Sequence, residues 1–143
     1  MDLLLYLLDT NICIYLLNGE LPEVASRLAD IPLQRLAIST ISVAELRYGA
    51  LHSARAEQNL TRVETFVTPL NKIPFDEQAA VRFGEVKQAL VAKGKIIGLM
   101  DLLIASCALA VDGTVVTNNM REFARIPGLK AENWVREDSP ASG

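Results

Sequence analysis

Histidine is almost absent: His52 is the single one among 143 residues. That excludes a multi-imidazole zinc site and leaves imidazole acid–base chemistry without a triad context. Cysteine is nearly as scarce. Cys13 and Cys107 lie far apart with no CxxC spacing, so neither a zinc cluster nor a disulfide framework is expected, and both should be buried free thiols. Excess positive charge is missing too: 14 Lys and Arg against 17 Asp and Glu give a net charge of −3, so bulk cationic attraction cannot hold a nucleic acid here. Long apolar runs are also missing. The longest, Leu99 to Val111, is interrupted by Asp101 and Ser106, falls short of the roughly 18 residues of a membrane span, and reads as a buried helix. Asp9 likewise cuts the first apolar run before a leader could form. The expectation is a cytoplasmic protein with no membrane contact, whose chemistry rests on carboxylates.

Half of the residues are apolar and only 22% are charged, enough to bury the core of one globular domain. We expect that domain over residues 1–137, with the polar segment 138–143, containing Pro140, as a disordered tail. Leu3 to Leu8 suits a strand buried on both faces. Short helices over Ile12 to Leu17 and from Pro22 to about Leu28 should follow, then a strand over Leu36 to Ile41. Ser42 should cap a helix over Val43 to Leu51, with Glu45 completing an S-x-x-E box. Ala54 to Val67 has helical apolar spacing, Lys72 to Phe75 is short and strand-like, and Asp76 should cap a helix carrying Ala80, Phe83, Val86, Leu90 and Val91 inward. After the helix from Asp101 to Val111, Asp112-Gly113 turns into a strand over Thr114 to Thr117, followed by a short helix near Arg121 to Arg125 and a strand over Lys130 to Glu132. Alternating strands and helices define an α/β domain: a mostly parallel sheet flanked by helices on both faces.

Ligands bind such sheets beyond the carboxyl ends of the strands. Asp9, Glu45, Asp101 and Glu122 all mark strand–helix junctions there. Each alone is explained by capping or by the helix dipole. Together they describe a cluster that would repel itself unless cations enter, and their hard oxygens suit Mg²⁺, with Mn²⁺ as a substitute. Bound metal lowers the pKa of an attacking water, as phosphodiester hydrolysis requires. Arg47, Arg121 and Arg125 are candidates for phosphates. Tyr6, Tyr15 and Tyr48 are candidates for stacking on bases, although core packing is the commoner fate of tyrosine. Trp134 reads as a packing anchor and His52 as a surface or helix-end residue.

The segments Leu7-Leu8-Asp9-Thr10-Asn11-Ile12, Ser42-Val43-Ala44-Glu45-Leu46-Arg47-Tyr48-Gly49, Gly98-Leu99-Met100-Asp101-Leu102-Leu103-Ile104-Ala105 and Val116-Thr117-Asn118-Asn119-Met120-Arg121-Glu122-Phe123 resemble, in order and spacing, the four motifs of PIN-domain ribonucleases. The VapC toxins of bacterial toxin–antitoxin pairs are the nearest resemblance. It implies a PIN-like fold and a Mg²⁺-dependent endoribonuclease that cuts transfer or ribosomal RNA. The implied metal-site acids are Asp9, Glu45, Asp101 and Glu122, with Asn11, Thr117, Asn118 and Arg121 as supporting or substrate-side groups. Asn118 and Asn119 stand where some relatives carry aspartate, which leaves the fourth acid to Glu122. The resemblance also implies a cognate antitoxin, a homodimer, and a larger assembly on DNA through the antitoxin. The alternatives are a catalytically degenerate binding or repressor subunit, or an RNA-processing nuclease without a toxin role.

Overall fold

The computed structural model describes residues 4–135, so the expected tail over 138–143 lies outside the described residues. Five short strands, β1 (Tyr6–Leu8), β2 (Leu36–Ser39), β3 (Asn71–Ile73), β4 (Thr114–Val116) and β5 (Lys130–Glu132), form one sheet in the order β3-β2-β1-β4-β5. Every pairing is parallel, as the nearly unbroken apolar character of β1, β2 and β4 requires once both faces are covered. The period of two along each strand then divides the core. Leu7, Ala37 and Val115 point to one face, and Leu8, Ile38 and Val116 to the other.

The second face is covered by α1 (Thr10–Leu17), α2 (Pro22–Ala29), α3 (Thr40–Leu51) and α4 (Ala56–Val67), through Ile12, Val24, Leu46 and Val63. The first is covered by α5 (Glu77–Ala92), α6 (Leu99–Ala110) and α7 (Met120–Phe123), through Val86, Leu90, Ile104 and Phe123. Trp134 is buried with an edge-on contact to Tyr6, and Arg27 lies 4.2 Å over its ring, so it anchors the chain after β5 as expected. Cys13 and Cys107 are buried free thiols, and burial pushes both above the ordinary thiol range, which makes them poor nucleophiles. No helix among the described residues is long and apolar enough to cross a membrane.

Three expectations need correction. The helix expected to begin after Ser42 begins at Thr40, and its cap is Ser39, whose side chain accepts from Ser42 N at 3.0 Å. Ser42 and Glu45 are therefore helical residues rather than the ends of a capping box. On α5, Ala79 is buried in place of Ala80, and Val91 is exposed, because the buried face runs through Ala79, Val86 and Leu90 and leaves those two positions turned away from it. The helix expected to begin at Asp101 begins at Leu99 and is capped at Gly98, which leaves Asp101 in its first turn.

Gly113 turns the chain into β4 against β1. A Cβ there would stand 2.5 Å from Leu7 Cδ1 and 3.4 Å from Leu5 O. Leu7 is fully buried, so its side chain would have to turn within the packed core to make room. We expect Gly113→Ala to lower unfolding stability by about 1–3 kcal/mol, the usual cost of overpacking. Urea denaturation reads this directly, and an unchanged midpoint would show that Leu7 can move after all.

Candidate active site

The chain moves from β1 outward to β2 and β3, then returns to place β4 on the opposite side of β1. The crevice beyond the carboxyl ends of β1 and β4 is thus the topological switch point, where open parallel sheets bind ligands. Asp9 and Thr117 are the residues immediately after these two strands. The Asp9 N–H donates to Val116 O at 2.9 Å, which continues the β1–β4 pairing into the site.

Asp9 is 2% exposed. Its Oδ1 accepts from Thr10 N at 2.8 Å, capping α1, and its Oδ2 accepts from the Thr117 hydroxyl at 2.8 Å. Burial raises its pKa against those two bonds, and the charges of Glu45 and Glu122 raise it further. Thr10 links the next acid: its hydroxyl donates to Glu45 Oε1 at 2.7 Å and lies 2.8 Å from Ser42 Oγ. On the far side, the Asn119 side-chain amide donates to Asp101 Oδ2 at 3.3 Å and to Glu122 Oε2 at 3.1 Å, while Asn119 N donates to Thr117 Oγ1 at 2.8 Å. Hydrogen bonds therefore connect Asp9, Thr117, Asn119, Asp101 and Glu122 in one chain.

The pKa of Asp101 is pushed up to about 8, first by burial, then by the hydrogen bond it shares with Glu122 and by the negative charges of Asp9, Glu122 and Glu45. Glu122 moves the opposite way, because Asp101 donates to it and Asn119 supports it. A proton and a neutral amide thus do the work of a cation between these two acids. Among the described residues, no three acids already close on one point as a finished metal cage. The donor set nevertheless fits a divalent cation of the Mg²⁺ kind. All four acids offer hard oxygens, two of them resist ionising while uncompensated, and Mg²⁺ takes one or two carboxylates while keeping waters for the remainder.

Asp9, Glu45 and Asp101 line a cavity of about 590 Å³ together with Asn11 and Tyr48, and Met100 lies on its wall. Of the supporting residues expected from the sequence, Thr117 is bound into the site and Asn11 lines it. Among the described residues no side-chain hydrogen bond joins Asn118 to the acids, whereas its neighbour Asn119 makes two. Arg121 is exposed and forms no ion pair among the described residues, whereas Arg47 pairs with Glu64 and Arg125 donates to Ile96 O. Thr10 and Ser42 are not among the site residues expected from the sequence, and Asn119 is expected there only as a position where some relatives carry aspartate. Thr10 and Asn119 adjoin the acidic motifs, and Ser42 lies one turn before Glu45, so their polarity beside charge was the available signal.

A parallel sheet in this order, with carboxylates gathered at its switch point, defines a PIN domain, and the PIN domain family matches residues 6–129. A VapC2 ribonuclease of Rickettsia felis is 43% identical over 132 residues, covering 92% of this chain and 98% of the relative. The tRNA(fMet)-specific endonuclease VapC of Salmonella typhimurium is 40% identical over 132 residues, with 92% and 99% covered. The solved structure of DNA-bound VapBC from Salmonella typhimurium matches with a TM-score of 0.87 at 39% identity, covering 92% of this chain and 99% of that one. The chain belongs to the VapC family of PIN-domain ribonucleases.

Proposed function

We propose that this ribonuclease is a Mg²⁺-dependent endoribonuclease toxin acting in the cytoplasm on a structured RNA, with transfer RNA favoured. The observation that carries the reading is the convergence of Asp9, Glu45 and Asp101, from three separate segments, on the switch-point crevice, with Glu122 joined to Asp101 through Asn119 and with Asp101 raised to about pKa 8 by burial first and by its acidic neighbours second. When bound, the ion supplies a water of lowered pKa and neutralises charge on the phosphate. Asp9 is fixed in orientation by Thr10 and Thr117, and Glu45 by Thr10, so both present their free lone pairs at little cost in ordering. Arg121, beside Glu122 and without an ion pair among the described residues, is available to a phosphate oxygen. The tRNA(fMet) specificity in the name of the Salmonella typhimurium relative supports transfer RNA as the substrate class.

A cognate antitoxin and a homodimer complete the proposal. The Salmonella typhimurium and Rickettsia felis neighbours are VapBC complexes bound to DNA, which supports both an antitoxin partner and assembly on DNA through it. An apolar cavity of about 240 Å³ between α1, α3 and α4, lined by Ile14, Leu17, Leu46, Ala50 and Val63, suits an amphipathic segment, and Leu51 beside it on α3 is 58% exposed. Sequencing the 5′ ends of cellular RNA after brief induction tests the function. New ends should accumulate at one or a few sites in transfer RNA and be absent with Asp9→Asn. Ends in ribosomal RNA would replace the favoured target, and the same ends with both proteins would remove the activity from this site.

A further inference from the structure

Tyr48 is out of keeping with the other tyrosines. Tyr6 packs edge-on to Trp134 and Tyr15 packs on the core, but Tyr48 is 67% exposed. It is nonetheless ordered against a partner: the His52 ring stacks on it at 5.5 Å between centroids and 14° between planes, one helical turn further along α3. Tyr48 also lines the cavity that holds Asp9, Glu45 and Asp101. Ile41, Glu45, Tyr48 and His52 recur at helical spacing, so one face of α3 leads from the acids outward over the aromatic pair. Three residues of helix separate Glu45 from Tyr48, an axial rise of about 4.5 Å, and seven separate Glu45 from His52, about 10 Å. Those distances are on the order of one to a few stacked nucleotides.

From these observations we infer that the Tyr48–His52 pair is a platform on which an unpaired nucleobase next to the scissile phosphate stacks. The inference rests on the ribonuclease reading above. It makes Tyr48 a substrate-positioning residue that touches the base, while the acids act on the phosphate. Three physical facts favour a base as occupant. A ring that is two-thirds exposed wastes apolar area unless something flat covers it. Aromatic–base stacking is indifferent to base identity and draws affinity without requiring an excess of positive charge, which this chain lacks. In addition, the cavity continues from Tyr48 to the acids without a break, so a strand whose phosphate reaches Asp9 carries its neighbouring base across α3.

The test uses the full chain and a short RNA hairpin with 2-aminopurine beside the cleaved linkage in its unpaired loop, followed both by cleavage in Mg²⁺ and by fluorescence with Ca²⁺ in its place. Tyr48→Phe and Tyr48→Trp should keep KM within about threefold and retain the stacking quench, since the ring face remains. Tyr48→Leu, similar in apolar bulk, and Tyr48→Ala should raise KM roughly 10-fold to 100-fold, lose the quench and change kcat little. The high exposure of Tyr48 predicts unchanged thermal unfolding for all four variants, and the contrast between Phe and Leu stands even if Ala perturbs the helix. Equal KM and quench in Leu and Phe variants would overturn stacking. So would a defect confined to binding of a partner protein, which would assign this rim to that contact. If the unsubstituted chain does not cleave RNA, or cleaves it equally well with Asp9→Asn, the ribonuclease reading of this site itself has failed, an outcome separate from an Asp9-dependent enzyme indifferent to Tyr48.

Discussion

Asp9→Asn and Asp101→Asn should each reduce RNA cleavage by more than about 100-fold, beyond the 10–100-fold that loss of a supporting contact to a metal ligand costs, while leaving the fold intact or more stable. The activity loss follows from removing a charged oxygen donor from a site with no nitrogen or sulfur donor to replace it. The preserved fold follows from the hydrogen bonds. An amide at position 9 keeps the oxygen that caps α1 through Thr10 N, and its NH₂ faces Thr117 Oγ1, which has accepting capacity once the threonine proton turns away. An amide at position 101 reproduces the neutral, proton-donating form that the surroundings of Asp101 already favour over much of the pH range. Asp9→Asn also lessens the mutual repulsion of the cluster, since the charges of Glu45 and Glu122 oppose ionisation at position 9. Initial cleavage rates and thermal unfolding of the same samples provide the check. Cleavage at the parent rate would reduce these acids to helix-end groups, and loss of folding with loss of activity would show that capping is their main role.

The acids were readable from the sequence while much of their surroundings was not. Asp9 interrupts an apolar run at a strand end, and Asp101 interrupts another near a helix start; a charge that breaks a hydrophobic pattern is visible in one dimension. The strands next to them were visible for the same reason, and β5 falls over Lys130–Glu132 as expected. The start of α3 was not. Ile38, Thr40 and Ile41 are β-branched and continue the strand pattern, and Ser39 and Ser42 are equally good caps by residue type. What decides between them is that β2 pairs with β3 only as far as Ser39, a tertiary fact. Asn119 was obscured differently. Asn118 and Asn119 are adjacent and chemically identical, and only the bend that delivers Asn119 N to Thr117 Oγ1 selects the second to stand between Asp101 and Glu122.

Chelation should abolish cleavage completely, and Mg²⁺ or Mn²⁺, but not Zn²⁺, should restore it. The selectivity follows from a site built of carboxylates, with both cysteines buried elsewhere in the core and His52 on the outer part of α3. The same cluster couples metal to pH. In the metal-free protein Asp101 holds its proton up to about 8, whereas an unfolded aspartate releases it near 3.8, so the folded state binds more protons across that interval. Stability contributed by this group is complete below the unfolded value and is lost as pH rises through the folded one. The raised pKa of Asp9 acts in the same direction, and the lowered Glu122 acts oppositely but only in acid, below its ordinary 4.5. A divalent ion replaces those protons, so its binding releases them and strengthens as pH rises. The gain in Tm from a fixed excess of Mg²⁺ should therefore be larger near about pH 8.5 than near about pH 5.5, while the metal-free Tm falls between the two. In Asp101→Asn both trends should flatten, because the group that exchanges a proton for the ion is gone. Full activity in excess chelator would refute metal dependence outright. A Mg²⁺ stabilisation that is flat with pH in the parent chain, alongside Mg²⁺-dependent cleavage, would mean that the ion does not displace the proton held at Asp101.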